Sequence, residues 1–218
     1  MTVYFISGQA ADEKLFENLT LPSNIKIRHV HWIEPLKGES FFNYCKRLSE
    51  QIDTSGDFVL VGVSLGGITA VELNKILQPK LAIIISSIAT AKERPPHFRF
   101  INFFKLHKIV PRRFYKWYNP FVDWYFGAET KKEKELLRYY MKSATKNYMK
   151  WATDKVLNWE NEVRPPNLFH IHGTADRIFL HQYTSADVKI KNGTHLMVYD
   201  RANEISKLLA HKLNSIPS

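Results

Sequence analysis

The sequence predicts an α/β fold class with a doubly wound, mostly parallel sheet. An apolar run at residues 3–6 begins an alternation of predicted strands and helices. Two later runs, at residues 58–61 and 81–85, are continuously apolar and rich in β-branched side chains. Such runs are typical of strands buried on both faces of a parallel sheet. Alternation of strands with helices is the pattern of α/β proteins.

Local patterns predict the remaining elements of the core. Alternating or continuous apolar side chains are typical of strands, and apolar side chains three or four positions apart are typical of helices. On these patterns we expect further strands at residues 25–32, 167–172 and 186–190, and helices at residues 12–19, 40–52, 68–77 and 203–213. Together with the three runs above, they predict a sheet of about six strands.

A change in composition marks an insertion within the predicted sheet. Residues 92–160 contain 16 Lys and Arg against 7 Asp and Glu, so they hold nine of the ten net positive charges of the 218-residue chain. They also contain 17 of the 29 Phe, Trp and Tyr residues. Proline pairs at 95–96 and 165–166 interrupt regular structure near both ends. We therefore expect a core formed by residues 1–91 and 161–218, with an inserted helical cap at residues 92–160. The helices expected in the cap lie at residues 98–109, 111–117, 120–126 and 130–157.

A short glycine-rich motif follows the central predicted strand. Residues 62–66 read Gly-Val-Ser-Leu-Gly and match the pattern G-x-S-x-G. With a strand before it and a helix after it, the motif has the context of a nucleophile elbow, which presents Ser64 above the sheet. The helix N-terminus attracts developing negative charge, so the backbone N–H of Leu65 is a candidate oxyanion donor. The alternative is a Gly-rich turn that happens to contain Ser.

Two further residues complete a candidate catalytic set. A serine nucleophile needs a base, most often histidine, and His195 is the best placed of nine because it follows the last predicted strand in a glycine-containing loop. Asp176, at the end of the preceding strand, is the candidate that orients this histidine. Carboxyl ends of parallel strands gather at one sheet edge, so these groups are expected to meet there. Asp187 and Asp200 are weaker candidates, and the alternative is an ordinary loop histidine with a turn aspartate.

These features together resemble the α/β-hydrolase superfamily. The resemblance rests on the serine motif at 62–66, the acid segment at 172–176 and the histidine segment at 192–195, in the family's chain order. Residues 7–12 resemble the loop after the family's third strand, which implies the backbone N–H of Gln9 as a second oxyanion donor. Two departures are present. The first two strands of the family sheet are missing, and serine precedes Gly8 where many members carry histidine.

The resemblance implies a serine hydrolase that cleaves a carboxylic ester or thioester through a Ser-His-Asp triad and an acyl-enzyme intermediate. Lyase or C–C cleaving chemistry on the same triad, and a non-catalytic binding role, remain as alternatives. Four cap aromatics, Trp117, Tyr118, Trp124 and Tyr125, are candidate substrate contacts in an apolar pocket. The alternative is that most of the cap aromatics pack the cap helices onto the core, and we favour it for the majority of them.

The positive charge of the cap has four interpretations. It could attract an anionic substrate, lie on an acidic membrane surface, bind nucleic acid, or form a solvated helical face. Mixed Glu and Lys at residues 129–135 favour a solvated face there. Residues 112–117, Arg-Arg-Phe-Tyr-Lys-Trp, are the stretch best suited to a partner. We expect a small-molecule substrate, anionic or with an apolar acyl group, and no nucleic acid, and we leave membrane contact open.

Cysteine usage and the N-terminus limit the class of protein further. With one cysteine, Cys45, the chain forms no internal disulfide, and the N-terminus lacks the basic segment of a signal peptide. The cysteine and the histidines have no metal-ligand spacing. We therefore expect a cytoplasmic enzyme without a metal ion or other cofactor.

Overall fold

The computed structural model describes residues 1–216, apart from the side chains of Arg112 and Arg113. The partner contact expected for those two arginines therefore lies outside the described residues. The strands are β1 Thr2–Ile6, β2 Lys26–Val30, β3 Phe58–Val63, β4 Leu81–Ile85, β5 Leu168–Gly173 and β6 Val188–Ile190. In the described chain they form one sheet in the order β2-β1-β3-β4-β5-β6, and each neighbouring pair is parallel. The predicted α/β class and six-stranded parallel sheet are confirmed.

Helices connect the strands and form the insertion. The α-helices of residues 1–216 are α1 Phe41–Leu48, α2 Leu65–Leu77, α3 Pro96–Phe103, α4 Leu106–Ile109, α5 Pro120–Phe126, α6 Lys131–Ser143, α7 Lys146–Asn158, α8 Met197–Asp200 and α9 Ala202–Asn214. Short 3₁₀ helices lie at Glu13–Phe16, Ser49–Gln51, Ala91–Glu93, Arg112–Lys116 and His181–Tyr183. In this part of the chain, no helix is both long and apolar enough to cross a bilayer.

Helices cover the sheet on both faces. Successive side chains of a strand point to opposite faces. In β1, Val3 and Phe5 belong to the apolar cluster that contains Ile205 of α9, whereas Tyr4 and Ile6 belong to the cluster that contains buried residues of α1 and α2. The side chains of β3 and β4 are buried along the whole length of both strands. Burial on both faces explains why these strands are continuously apolar in the sequence.

Two helical predictions for the cap are corrected. Residues 130–157 form α6 and α7 in place of one long helix, because Thr145 caps a new helix and its side chain accepts a hydrogen bond from the backbone N–H of Tyr148 at 3.0 Å. The helix expected at residues 98–109 divides into α3 and α4. The break lies at Lys105, whose φ of 51° is left-handed and ends a right-handed helix.

The insertion between β4 and β5 lies over the start of α2. Tyr148 and Ala152 of α7 form an apolar cluster with Leu65, the first residue of α2. At the far end of the insertion, the indole N–H of Trp159 donates to the Glu72 carboxylate of α2 at 2.7 Å. The contacts with Leu65 bring the cap next to the residue that follows Ser64 in the chain. The domain boundaries at 91/92 and 160/161 stay a prediction.

Candidate active site

Ser64 lies in a strained turn between β3 and α2. Its backbone angles, φ 55° and ψ −118°, fall where residues with a side chain are rarely found. The Ser64 N–H donates to the Ile85 carbonyl at 3.0 Å, and the Ser64 carbonyl accepts from the N–H groups of Gly67 and Ile68 at 2.9 and 3.2 Å. The same carbonyl accepts from the Ser87 hydroxyl at 2.7 Å. These hydrogen bonds hold a conformation whose strain costs about 1–3 kcal/mol.

Close contacts between backbone segments explain the two glycines of the motif. A Cβ at Gly66 would lie 2.1 Å from the carbonyl oxygen of Ile6, and a Cβ at Gly62 would lie 2.2 Å from the carbonyl oxygen of Gly66. Both obstacles are main-chain atoms, which cannot move aside without shifting β1 or α2. Glycine at these positions therefore allows α2 to start directly against the sheet.

The structure brings together the three residues predicted to form the catalytic set. The Ser64 Oγ lies 2.9 Å from the His195 Nε2, and the His195 Nδ1 lies 2.8 Å from an Asp176 carboxylate oxygen. A carboxylate accepts the Nδ1–H, so this network assigns the tautomer that leaves the Nε2 lone pair facing the serine hydroxyl. Asp187, a weaker candidate for the acid, instead forms an ion pair with Arg164 at 2.5 Å.

The Asp176 carboxylate is buried and held by several donors. Its other oxygen accepts hydrogen bonds from the backbone N–H groups of Ile178 and Phe179, at 2.8 and 3.0 Å. Burial acts to raise the pKa of Asp176, but the nearby His195 and these donors outweigh burial, and the pKa lies below its ordinary value of 3.8. At neutral pH the group is therefore a carboxylate, the form that orients and stabilises a histidine that accepts a proton.

A second layer of buried histidines supports the acid. The His172 Nε2–H donates to the Phe179 carbonyl at 2.7 Å and lies 3.6 Å from the same Asp176 oxygen that binds His195. The His172 Nδ1 is 3.3 Å from the His170 Nε2. Burial lowers the pKa of both rings, so both are neutral at pH 7. The strand pattern favours packing or hydrogen-bonding roles for both residues; only the fold shows that His172 holds the loop that carries the acid.

The two residues predicted to supply oxyanion donors line the same cavity as Ser64. Leu65 is the first residue of α2, so its N–H has no partner within the helix. The loop before Gln9 lies against the nucleophile, since a Cβ at Gly8 would be 3.5 Å from the Ser64 Cβ. The Gln9 side-chain amide donates to the Met149 carbonyl of α7 at 3.1 Å, which ties this loop to the cap. The assignment of both backbone N–H groups as oxyanion donors stays a prediction.

Beside the serine, a largely apolar cavity of about 490 Å³ lies between the core and the cap. Ser64, His195, Leu65 and Gln9 all line it. Its volume falls within the range of about 300–1,000 Å³ that is usual for small-molecule sites. Apolar side chains that line its walls include Ile101, Val122, Leu137, Val156, Ile178 and Leu196.

Of the four predicted substrate contacts, one lies on the cavity wall. Tyr125 lines the cavity, whereas Trp117, Tyr118 and Trp124 do not. Helical spacing gives the reason for α5: Val122 and Tyr125, three positions apart, share the inner face. Trp124 points outward and is 53% exposed. Trp117 is 61% exposed, and the hydroxyl of Tyr118 instead donates to the Asp123 carboxylate of α5.

The comparisons with known proteins give structural neighbours only. No family model matches the chain, and no curated protein matches it. An esterase from Thermogutta terrifontis, solved with malate bound, has a TM-score of 0.73 and 13% identity, covering all of this chain and 91% of its own. A hydrolase from Oleispira antarctica has a TM-score of 0.74 and 14% identity, covering 98% of this chain and 91% of its own. The N-acyl homoserine lactonase AidH, complexed with N-butanoyl homoserine, has a TM-score of 0.66 and 15% identity, covering all of this chain and 90% of its own.

These neighbours agree with the topology described above. This protein has a parallel sheet, a turn that carries Ser64 and a helical insertion after β4. It aligns with each of these neighbours over nearly its whole length. At these identities the similarity concerns the fold. The chain has the α/β-hydrolase fold.

Proposed function

We propose that this protein is a serine hydrolase that cleaves carboxylic esters or thioesters. The observation that carries the proposal is the hydrogen-bonded series from Ser64 through His195 to Asp176, which begins on the wall of an apolar cavity. A strained turn, a base with an available lone pair and a buried carboxylate are the parts that activate a serine hydroxyl. The fold alone does not decide the reaction, so the proposal rests on this site.

In the proposed mechanism His195 first accepts the Ser64 hydroxyl proton at Nε2, and the Ser64 Oγ attacks the substrate carbonyl carbon. The backbone N–H groups of Leu65 and Gln9 stabilise the oxyanion that forms, a contribution of about 3–4 kcal/mol per donor in related chemistry. The imidazolium then protonates the leaving alcohol or thiol, and an acyl-enzyme remains. Water, deprotonated by His195, releases the acid and restores the serine.

The shape and chemistry of the cavity support an apolar acyl or alcohol group on the substrate. Its walls are formed mainly by aliphatic and aromatic side chains from both the core and the cap, which favour apolar groups through burial of their surface. The neighbours named above are an esterase, a hydrolase and a lactonase, which supports a small molecule with a carboxylic ester bond. A cytoplasmic location stays a prediction.

The direct test is labelling with a fluorescent fluorophosphonate, followed by turnover of a series of ester and thioester substrates. We expect Ser64→Ala to remove both labelling and hydrolysis while the melting temperature changes little, because the side chain contributes one hydroxyl at a cavity wall. Ser55→Ala is the matched control, since Ser55 is exposed before the start of β3. Full activity in Ser64→Ala would refute the proposal, and so would a folded wild type that neither labels nor turns over any substrate.

Chain-length preference tests the assignment of the cavity as the acyl pocket. Ile101 lines the cavity, and its neighbour Phe100 is 59% exposed on the other side of α3. We expect Ile101→Trp to shift the kcat/KM optimum towards shorter acyl chains, because the larger ring occupies part of the 490 Å³. Phe100→Trp should leave the preference unchanged. An identical chain-length profile in both variants would refute the assignment of the cavity as the acyl pocket.

A further inference from the structure

The cap segment at residues 96–126 has two apolar faces. Its inner face lines the cavity with side chains that include Phe98, Ile101, Leu106, Val122 and Tyr125. Its outer face, here called the outer cap surface, exposes large apolar side chains to solvent. These are Phe100, Phe103, Phe104, Ile109, Phe114, Trp117, Phe121 and Trp124. They are eight of the fifteen large hydrophobic side chains that are exposed in the described chain, so the exposure is concentrated in this segment.

Several exposed rings of the outer cap surface contact one another. Phe103 and Phe104 have ring centroids 5.0 Å apart, and Phe121 and Trp124 have centroids 5.4 Å apart. Phe103 is 80% exposed, more than any of the other exposed large hydrophobic side chains. Clusters of exposed apolar side chains concentrated in one segment are typical of an interaction site in a folded protein.

The same segment is strongly basic. It contains six Lys and Arg and a single acidic residue, Asp123, which is buried and accepts a hydrogen bond from Tyr118. Lys105 and Lys108 are exposed on either side of the start of α4. Neither lysine forms an ion pair with a carboxylate in the described part of the chain. The outer cap surface therefore presents aromatic rings and unneutralised positive charge together.

We propose that the outer cap surface docks onto a lipid bilayer that carries anionic headgroups. Aromatic rings are favoured at the boundary between headgroups and acyl chains, and each Lys or Arg near an anionic surface adds about 1 kcal/mol, or about fivefold in affinity. A protein partner with an apolar patch would satisfy the rings but would also need a matching acidic surface, whereas an anionic bilayer satisfies both features of this surface. The cavity lies directly behind the segment that docks, so bound protein would hold its cavity next to the membrane surface.

The binding experiment uses the intact protein and sedimentation with vesicles, and it does not depend on the proposed hydrolase activity. Vesicles of phosphatidylcholine are compared with vesicles that also contain phosphatidylglycerol. We expect binding to the anionic vesicles, at least tenfold weaker binding to neutral vesicles, and a decrease with added salt. Equal binding to both kinds of vesicle, or binding to neither, would overturn the proposal.

Two variants examine the charge and the apolar part separately. Lys105→Glu/Lys108→Glu should weaken binding by more than about 25-fold, because two positive charges are lost and two negative charges are added. Lys46→Glu/Lys207→Glu makes the same charge change on exposed positions of α1 and α9 and should weaken it much less. Equal losses of vesicle binding in the two charge variants would show that binding depends only on the net charge of the protein. That result would overturn the assignment of the binding surface to the cap.

The apolar part is tested at the two most exposed side chains. Phe103→Ser/Ile109→Ser should weaken vesicle binding at least tenfold, and Leu36→Ser/Val163→Ser, exposed outside the cap, should not. None of the residues changed in these two variants or in the two charge variants lines the cavity. Turnover of a soluble ester should therefore stay unchanged in all four double variants. Light scattering that shows a dimer dissociated by Phe103→Ser/Ile109→Ser, without vesicle binding, would assign the surface to a second copy and overturn the proposal. Binding to single-stranded oligonucleotides in place of vesicles would overturn it too.

Discussion

Replacing Asp176 by Asn keeps a side chain of the same shape but changes the hydrogen bond to His195. In the native site one Asp176 oxygen accepts from the backbone N–H groups of Ile178 and Phe179, at 2.8 and 3.0 Å. The amide must place its oxygen at that position, because the opposite orientation would set its NH₂ group against two N–H donors. The NH₂ group then takes the place of the oxygen that lies 2.8 Å from the His195 Nδ1.

The expected loss of activity in Asp176→Asn follows from this change of hydrogen-bond donor. An amide NH₂ donates to Nδ1, so the stable tautomer of His195 carries its proton on Nε2, 2.9 Å from the Ser64 Oγ. That nitrogen can no longer accept the serine proton. In serine hydrolysis the wrong tautomer lowers kcat by about 10⁴, which corresponds to about 5.4 kcal/mol in the activation free energy. KM should change little, because Asp176 does not line the cavity.

The assay is turnover of the best ester substrate of the series, with fluorophosphonate labelling beside it and near-ultraviolet circular dichroism as the measure of folding. Asp187→Asn is the matched control, since Asp187 pairs with Arg164 and lies outside the hydrogen-bonded series. We expect its kcat to stay within about threefold of the wild type. A folded Asp176→Asn with a kcat within tenfold of the wild type would refute the reasoning, and so would an equal loss in Asp187→Asn.

Two predictions concern stability. Burial holds the pKa of His170 below its ordinary 6.5, so below that pH the unfolded chain binds more protons than the folded protein. The contribution of His170 to the free energy of unfolding is therefore fully present above pH 6.5. It falls as the pH decreases below 6.5, by up to about 1.4 kcal/mol per pH unit for one group. Urea unfolding between about pH 7 and about pH 5 measures how the free energy of unfolding changes with pH. The contribution of His170 to that change should be lost in His170→Asn and kept in His211→Asn, where the replaced histidine is exposed. Equal pH dependence in the two variants would contradict the prediction. Gly66→Ala, with a Cβ 2.1 Å from the Ile6 carbonyl, should lower the free energy of unfolding by about 3 kcal/mol or more. Gly56→Ala, with no atom within 4 Å, should change it by about 0.5 kcal/mol or less, and similar losses in the two glycine variants would contradict the close contact at the elbow.

The strands and the meeting of the three site residues could be predicted from local patterns. A strand buried on both faces must be continuously apolar, as in β3 and β4, and a parallel sheet gathers the carboxyl ends of its strands at one edge. Ser64, Asp176 and His195 each follow a strand of this sheet, so their proximity was implied by the order of elements. Their distances were not, because a difference of 1 Å depends on the packing of the loops.

The arrangement of the cap was the part of the structure that sequence patterns predicted least well. Its composition identified an insertion, but an aromatic residue has the same apolar character whether it faces the cavity or solvent. The outward direction of Trp124 depends on which face of α5 packs towards the cavity. The support that His172 gives to Asp176 also depends on a loop that returns to the end of β5.

By itself the sequence determined the class of fold, the order of its elements and the chemistry of the serine motif, because these follow from local side-chain properties and chain order. Only the tertiary structure decided the tautomer of His195, the apolar cavity beside Ser64 and the exposed rings of the outer cap surface. Each of these depends on contacts between residues far apart in the chain: His195 meets Ser64 across 131 positions. Which distant side chains come within hydrogen-bonding or van der Waals distance is decided only when the whole core packs.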